Sequence, residues 1–165
     1  AAVLPAAALF LVAGVAAAQS AMPSSEPLFA ASMHDTDDRP VALSAYKGRP
    51  LVINFWARWC TPCRNEIPEL VKARAAHLAH GVEVLGLGIE DKAEAVREFA
   101  KAYEMNYPVL LAREGGIPLM QALGNAKAGL PYTLAVDRRG RVVFRKLGAM
   151  SAADVEAAFA AAQGK

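Results

Sequence analysis

The chain has 165 residues and a formal net charge of +2 with histidines neutral, its Lys and Arg residues interleaved with Asp and Glu. That balance excludes a nucleic-acid surface built on a long basic block, and composition by itself names no partner. Behind a processed N-terminus, roughly 145 residues would remain, which is one ordinary domain with a sizeable core and no second domain.

Val3 to Ala18 is an uncharged Ala/Leu/Val-rich run ending in Ala16-Ala17-Ala18-Gln19-Ser20-Ala21. Small residues stand where a signal peptidase cuts, so the run reads as the hydrophobic and cleavage regions of a secretory signal with cleavage near Ala18. At about 16 residues it falls short of the roughly 20 that span a bilayer, and an uncleaved membrane anchor over residues 1–18 is the alternative. Residues 19–27, with Met22-Pro23-Ser24-Ser25-Glu26-Pro27, read as an extended linker, and the folded domain as residues 28–165. Phe29 to Met33 and Val41 to Leu43, separated by the acidic turn-rich segment His34 to Pro40, predict an N-terminal β-hairpin.

Leu51 to Trp56 is a nearly continuous apolar run, as expected of a central strand buried on both faces. A helix follows from Thr61 or Pro62 to His80, with Pro62 suited to its first turn and Pro68 expected to kink it. Val82 to Ile89 is the next strand and Ala93 to Tyr103 an amphipathic helix, which together predict a parallel crossover. Pro108 to Leu111 reads as a short strand and Ile117 to Leu123 as a short helix. Tyr132 to Val136 and Val142 to Leu147 flank the turn signal Asp137-Arg138-Arg139-Gly140 and predict an antiparallel hairpin. Ala152 to Ala162 reads as a final helix with Ser151 as its N-cap.

Cys60 and Cys63 are the only cysteines, and they fall between a β-type run and a helical pattern. Thiols at this spacing can close a short disulfide, and a thiol at a helix N-terminus meets backbone N–H groups that favour its thiolate. Cys60 is therefore read as the nucleophile and Cys63 as the resolving thiol. A purely structural bridge fits less well, because so short a loop restrains little unfolded-chain entropy. Two cysteines without matching ligands do not make a structural zinc site, and no metal is expected.

The block Leu51-Val52-Ile53-Asn54-Phe55-Trp56-Ala57 through Cys63-Arg64-Asn65-Glu66-Ile67-Pro68-Glu69-Leu70 resembles the TlpA/ResA branch of the thioredoxin-like proteins, which are periplasmic or membrane-tethered thiol-disulfide oxidoreductases. Gly129-Leu130-Pro131-Tyr132-Thr133-Leu134 is similar to that family's Gly-x-Pro-x-Thr loop. The resemblance implies an α/β thioredoxin-like fold, a central mixed β-sheet with helices on both faces, here extended by the N-terminal hairpin. It also implies that Pro131 is cis and lies against the disulfide, and that Leu130 offers backbone groups to an extended substrate.

Further residues take roles from this likeness. Trp56 and Trp59 resemble the family's paired tryptophans, Trp59 as an apolar surface beside the disulfide and Trp56 mainly as core. Thr61 and Pro62 between the cysteines shape the helix start and tune the dithiol–disulfide balance. Arg58 and Arg64 either lower the pKa of Cys60 or are solvated surface charges. Asn54 stands where thioredoxin has a titrating Asp, and the resemblance moves the proton-transfer carboxylate to Asp91 or Glu90 after the next strand. Both can equally be exposed acids at a helix start. His34, His77 and His80 read as surface or capping residues.

The function implied is that of an exported, periplasmic reductant of partner-protein disulfides, of the cytochrome c maturation or copper-site assembly type. Its redox group is the Cys60–Cys63 disulfide with no other cofactor, its substrates are protein disulfides, and a membrane thiol reductase supplies its electrons. An oxidant or isomerase of the same fold is the alternative. A Sco-like copper-binding protein fits worse, since it wants Cys-x-x-x-Cys and a downstream His, and no His follows His80. Nothing marks a peroxide pocket.

Overall fold

A computed structural model describes residues 21–165; the run Val3 to Ala18, with its signal or anchor reading, lies outside the described residues. Seven strands form one mixed sheet in the order β2-β1-β5-β4-β3-β6-β7. The elements in chain order are α1 (Glu26–Ala30), β1 (Ser32–His34), β2 (Pro40–Ala42), β3 (Leu51–Trp56), α2 (Thr61–His77), β4 (Glu83–Gly88), α3 (Ala93–Ala102), β5 (Val109–Leu111), α4 (Gly116–Ala122), β6 (Tyr132–Val136), β7 (Val142–Leu147) and α5 (Ala152–Gln163).

Every residue of β3 and β4 is buried, which is why both read as nearly continuous apolar runs, broken by Asn54 and begun by Glu83. They pair in parallel across α2, and β4 pairs in parallel with β5 across α3. β6 runs antiparallel to β3 on its other side and turns back into β7. Alternate residues of β3 then feed two cores. Val52 and Trp56 pack with Leu70 of α2, Val96 of α3 and Phe159 of α5, while Leu51, Ile53 and Phe55 pack with Leu28 of α1 and Leu119 of α4. Helices thus cover both faces.

The N-terminal hairpin is present, with Met33 opposite Val41, and it joins the sheet through His34 beside Leu111 of β5. The expected strand from Phe29 to Met33 is corrected at its start, where Phe29 and Ala30 are helical and only Ser32–His34 is extended. Leu28 and Phe29 are both buried. A strand would send one of two neighbours to solvent, whereas a helical turn places both against the core. The linker is corrected for the same reason: Glu26 and Pro27 belong to α1, and the Ser25 hydroxyl donates to the Gly140 carbonyl. The long helix ends at His77, followed by a 3₁₀ turn over Leu78–His80 that Gly81 closes at φ +80°. Pro68 lies inside α2, where its missing N–H leaves one helical bond unmade. The Ser151 hydroxyl accepts the Asp154 N–H and the Asp154 carboxylate accepts the Ser151 N–H, a reciprocal cap for α5.

Candidate active site

The buried strand β3 ends at Trp56, and a tight turn closed by the Cys60 N–H on the Ala57 carbonyl leads into α2. Cys60 is the N-cap of that helix, and its sulfur accepts the Cys63 N–H at 3.3 Å. The two cysteines form a disulfide. Cys60 is 6% exposed and Cys63 not at all, so Cys60 is the more accessible sulfur. Trp59 stands 70% exposed beside them, Thr61 and Pro62 are exposed, and Trp56 is fully in the core. The Arg64 guanidinium donates to the Thr61 hydroxyl across the first turn.

Opposite this turn lies the segment before β6. The Leu130–Pro131 peptide bond is cis. The pairing of Phe55 with Tyr132 sets Pro131 at the end of β6 from which the cysteine motif leaves β3. Leu130 packs against the core cluster that holds both cysteines. The Pro131 carbonyl accepts the Gly148 N–H at 2.8 Å. A residue absent from the motif reading shapes this loop: buried Asn125 donates to the Gly129 carbonyl and accepts the Gly129 N–H. Thr133 accepts from the Asn54 side-chain amide at 3.0 Å, so its hydroxyl serves a cross-strand bond to β3.

The same Asn54 amide donates at 2.7 Å to Glu66, a second residue the sequence reading passed over. Glu66 lies on α2 three residues after Cys63 and is 2% exposed. Positions i and i+3 of a helix share a face, so the Glu66 and Cys63 Cβ atoms lie about 5–6 Å apart. Its other oxygen accepts the Met150 N–H at 2.9 Å. Burial pushes the Glu66 carboxyl above the usual range, and the bonds from Met150 and Asn54 with the charge of Lys146 only partly offset that. The signal was a charge within the buried pattern Cys63, Ile67, Leu70.

Glu90 and Asp91 are not brought together. Glu90 is buried and accepts the Arg58 backbone N–H at 2.7 Å and the Arg58 guanidinium at 3.1 Å. Asp91 is exposed in the loop before α3. Neither caps the helix, whose N-cap is Lys92. Arg58 is consequently not a free solvated cation, because its charge is matched by Glu90. His77 bridges Glu156 and Gln163 at the far end of α2, and His34 closes β1 instead of sitting in the turn.

The Redoxin family model matches residues 17–161. The thiol-disulfide oxidoreductase ResA of Bacillus subtilis is 30% identical over 119 residues, covering 72% of this chain and 64% of that protein. ResA of Geobacillus thermodenitrificans is 28% identical, covering 82% of this chain and 75% of its own length. Among solved structures, a thioredoxin-family thiol:disulfide interchange protein from Chlorobium tepidum superposes with a TM-score of 0.73 at 26% identity, covering 87% of this chain and 97% of that one. The fold and the Cys60–Cys63 disulfide define a thioredoxin-like thiol-disulfide oxidoreductase. The chain belongs to the Redoxin family.

Proposed function

We propose that this protein is an exported reductant of partner-protein disulfides, of the kind that serves cytochrome c maturation or copper-site assembly. Reduced Cys60, as thiolate, attacks one sulfur of a substrate disulfide and releases the other as a thiolate, leaving a mixed disulfide. Glu66 takes the proton of Cys63, whose thiolate then attacks the Cys60 sulfur and expels the second substrate thiolate. Two electrons have passed to the substrate and the Cys60–Cys63 disulfide remains, to be reduced again by a membrane thiol reductase.

The observation that carries this reading is the buried Glu66 carboxyl on the Cys63 face of α2. A strong oxidant owes its potential to a stabilised thiolate in the reduced state, and a carboxylate beside the pair disfavours that anion. We assign proton transfer to Glu66 ahead of Glu90, whose oxygens are engaged by Arg58, and of Asp91, which is exposed. Trp59, Thr61, Pro62, Leu130 and Pro131 form the surface that receives the partner. The apolar run Val3 to Ala18 supports export, as signal or tether. Among the described residues no helix is long and apolar enough to cross a membrane.

The test is Cys63→Ser, which leaves Cys60 to attack with no resolving thiol. Mixed disulfides with protein substrates should accumulate through Cys60 and disappear in the Cys60→Ser/Cys63→Ser double variant. Failure of Cys63→Ser to trap any protein partner would remove Cys60 as nucleophile.

A further inference from the structure

At the end of the sheet away from the disulfide, the register sets Leu51 level with both Glu83 and Val136. The segment before β3, the turn before β4 and the β6–β7 turn converge there. The first and last of these enclose, with the incoming N-terminal segment, a cleft of about 840 Å³. Phe29 and Val142 contribute apolar surface to it, and Lys47, Arg139 and Arg141 line it.

The charge at this end is unbalanced. Glu83 is taken up by Arg74 at 2.9 Å and Arg49 at 3.7 Å, and Asp137 by Arg141 at 2.7 Å. Glu26 is the remaining acid on the cleft among the described residues. The Lys47 ammonium stands 5.8 Å from the Phe29 ring, Arg139 is exposed, and neither joins an ion pair among the described residues. Among the described residues Arg138 donates only to the His80 carbonyl, at 3.4 Å. The chain arrives at Met22, half exposed at this cleft, shortly after the uncharged apolar run Val3 to Ala18.

We propose that the cleft and its basic rim receive the phosphate headgroup of an anionic phospholipid, and that the folded domain docks on an anionic membrane surface by this end. The apolar run ends four residues before Met22, and an apolar segment joined to a basic surface is the combination that gives stable peripheral binding. The six residues of β3 separate this end from the cysteine motif, and at about 3.3 Å per residue they hold the disulfide roughly 20 Å further from the lipid, facing soluble partners.

The experiment is co-sedimentation of the full chain with vesicles of phosphatidylcholine alone and of equimolar phosphatidylcholine and phosphatidylglycerol. Each Lys or Arg near an anionic leaflet contributes roughly fivefold in affinity, so K47E/R139E should lose on the order of 25-fold or more of the preference for anionic vesicles. Its binding to phosphatidylcholine should be unchanged. The preference of the wild type should fall with sodium chloride and survive inorganic phosphate at matched ionic strength. The control K101E/K127E makes the same change in net charge elsewhere on the surface. Equal loss in the control would overturn the site, as would a wild type that does not distinguish the vesicles or a preference abolished by inorganic phosphate alone. Unchanged thiol–disulfide exchange in both variants reports that they fold.

Discussion

Glu66→Gln separates the two effects that the buried carboxyl has on Cys63. With the i,i+3 separation of about 6 Å taken for the two charges, its anion opposes the Cys63 thiolate by on the order of 3 kcal/mol at an effective dielectric constant near 20, or about 2 pK units. As a base it accelerates proton removal, an effect of about 10² or more. Removing the charge alone would raise the Cys63 thiolate population up to about 100-fold and lower its nucleophilicity about eightfold, a net gain near tenfold. Removing the base costs about 100-fold, so base loss wins and resolution near neutral pH should slow roughly tenfold. The assay is single-turnover decay of a mixed disulfide preformed on Cys60, followed from pH 5 to 10 by rapid acid quench. The wild-type profile should rise through the raised Glu66 pKa; the variant should lose that limb and rise only with Cys63. An identical profile, or faster resolution at neutral pH, would refute Glu66 as the proton acceptor. Stability supplies a second readout with a definite sign. The folded carboxyl is raised above its ordinary value of 4.5, so ionisation costs stability as pH rises from that value through the folded pKa. E66Q should therefore gain Tm relative to the wild type over that window and show no such gain below it.

Other expectations follow from single contacts. Glu90→Gln leaves the Arg58 guanidinium without its buried counter-charge; with that guanidinium about one-third exposed, the loss should be about 1–3 kcal/mol in chemical denaturation. An unchanged midpoint would mean that the pair is idle. Ser151→Ala removes half of the α5 cap and should cost about 1 kcal/mol, measured the same way. Lys146 and the Ser151 cap hold Asp154 down to about 2 from an ordinary 3.8, so their support is complete above 3.8 and is lost as pH falls toward 2, which a thermal unfolding series in acid can follow. Trp59→Ala should raise KM for a protein disulfide while leaving turnover of a small disulfide unchanged, and an equal effect on both would place Trp59 in the chemistry instead of partner contact.

The sheet centre was legible in the sequence because β3 and β6 combine long apolar runs with clear boundaries, and the cis Leu130–Pro131 bond was accessible only through the resemblance of its loop. The start of the domain was misread because Leu28 and Phe29 are apolar neighbours, a pattern that a strand and a short helix share, and the tertiary demand to bury both decided it. The site was less legible than the fold. Asn54 correctly signalled that the thioredoxin carboxylate is absent from β3, but the charge its amide meets comes from α2 twelve residues on, through a tertiary contact. Glu90 read as either a proton-transfer carboxylate or an exposed helix-start acid, because nothing local shows that the Arg58 backbone N–H and guanidinium turn it inward.

The measurement closest to the central claim is a redox titration of the Cys60–Cys63 couple, counting free thiols by alkylation across defined dithiothreitol or glutathione buffers. A reversible two-electron couple below about −200 mV is expected of a reductant fed from a membrane donor. A value near about −120 mV would contradict that reading and make the protein an oxidant, and the absence of any reversible couple would contradict thiol–disulfide exchange itself.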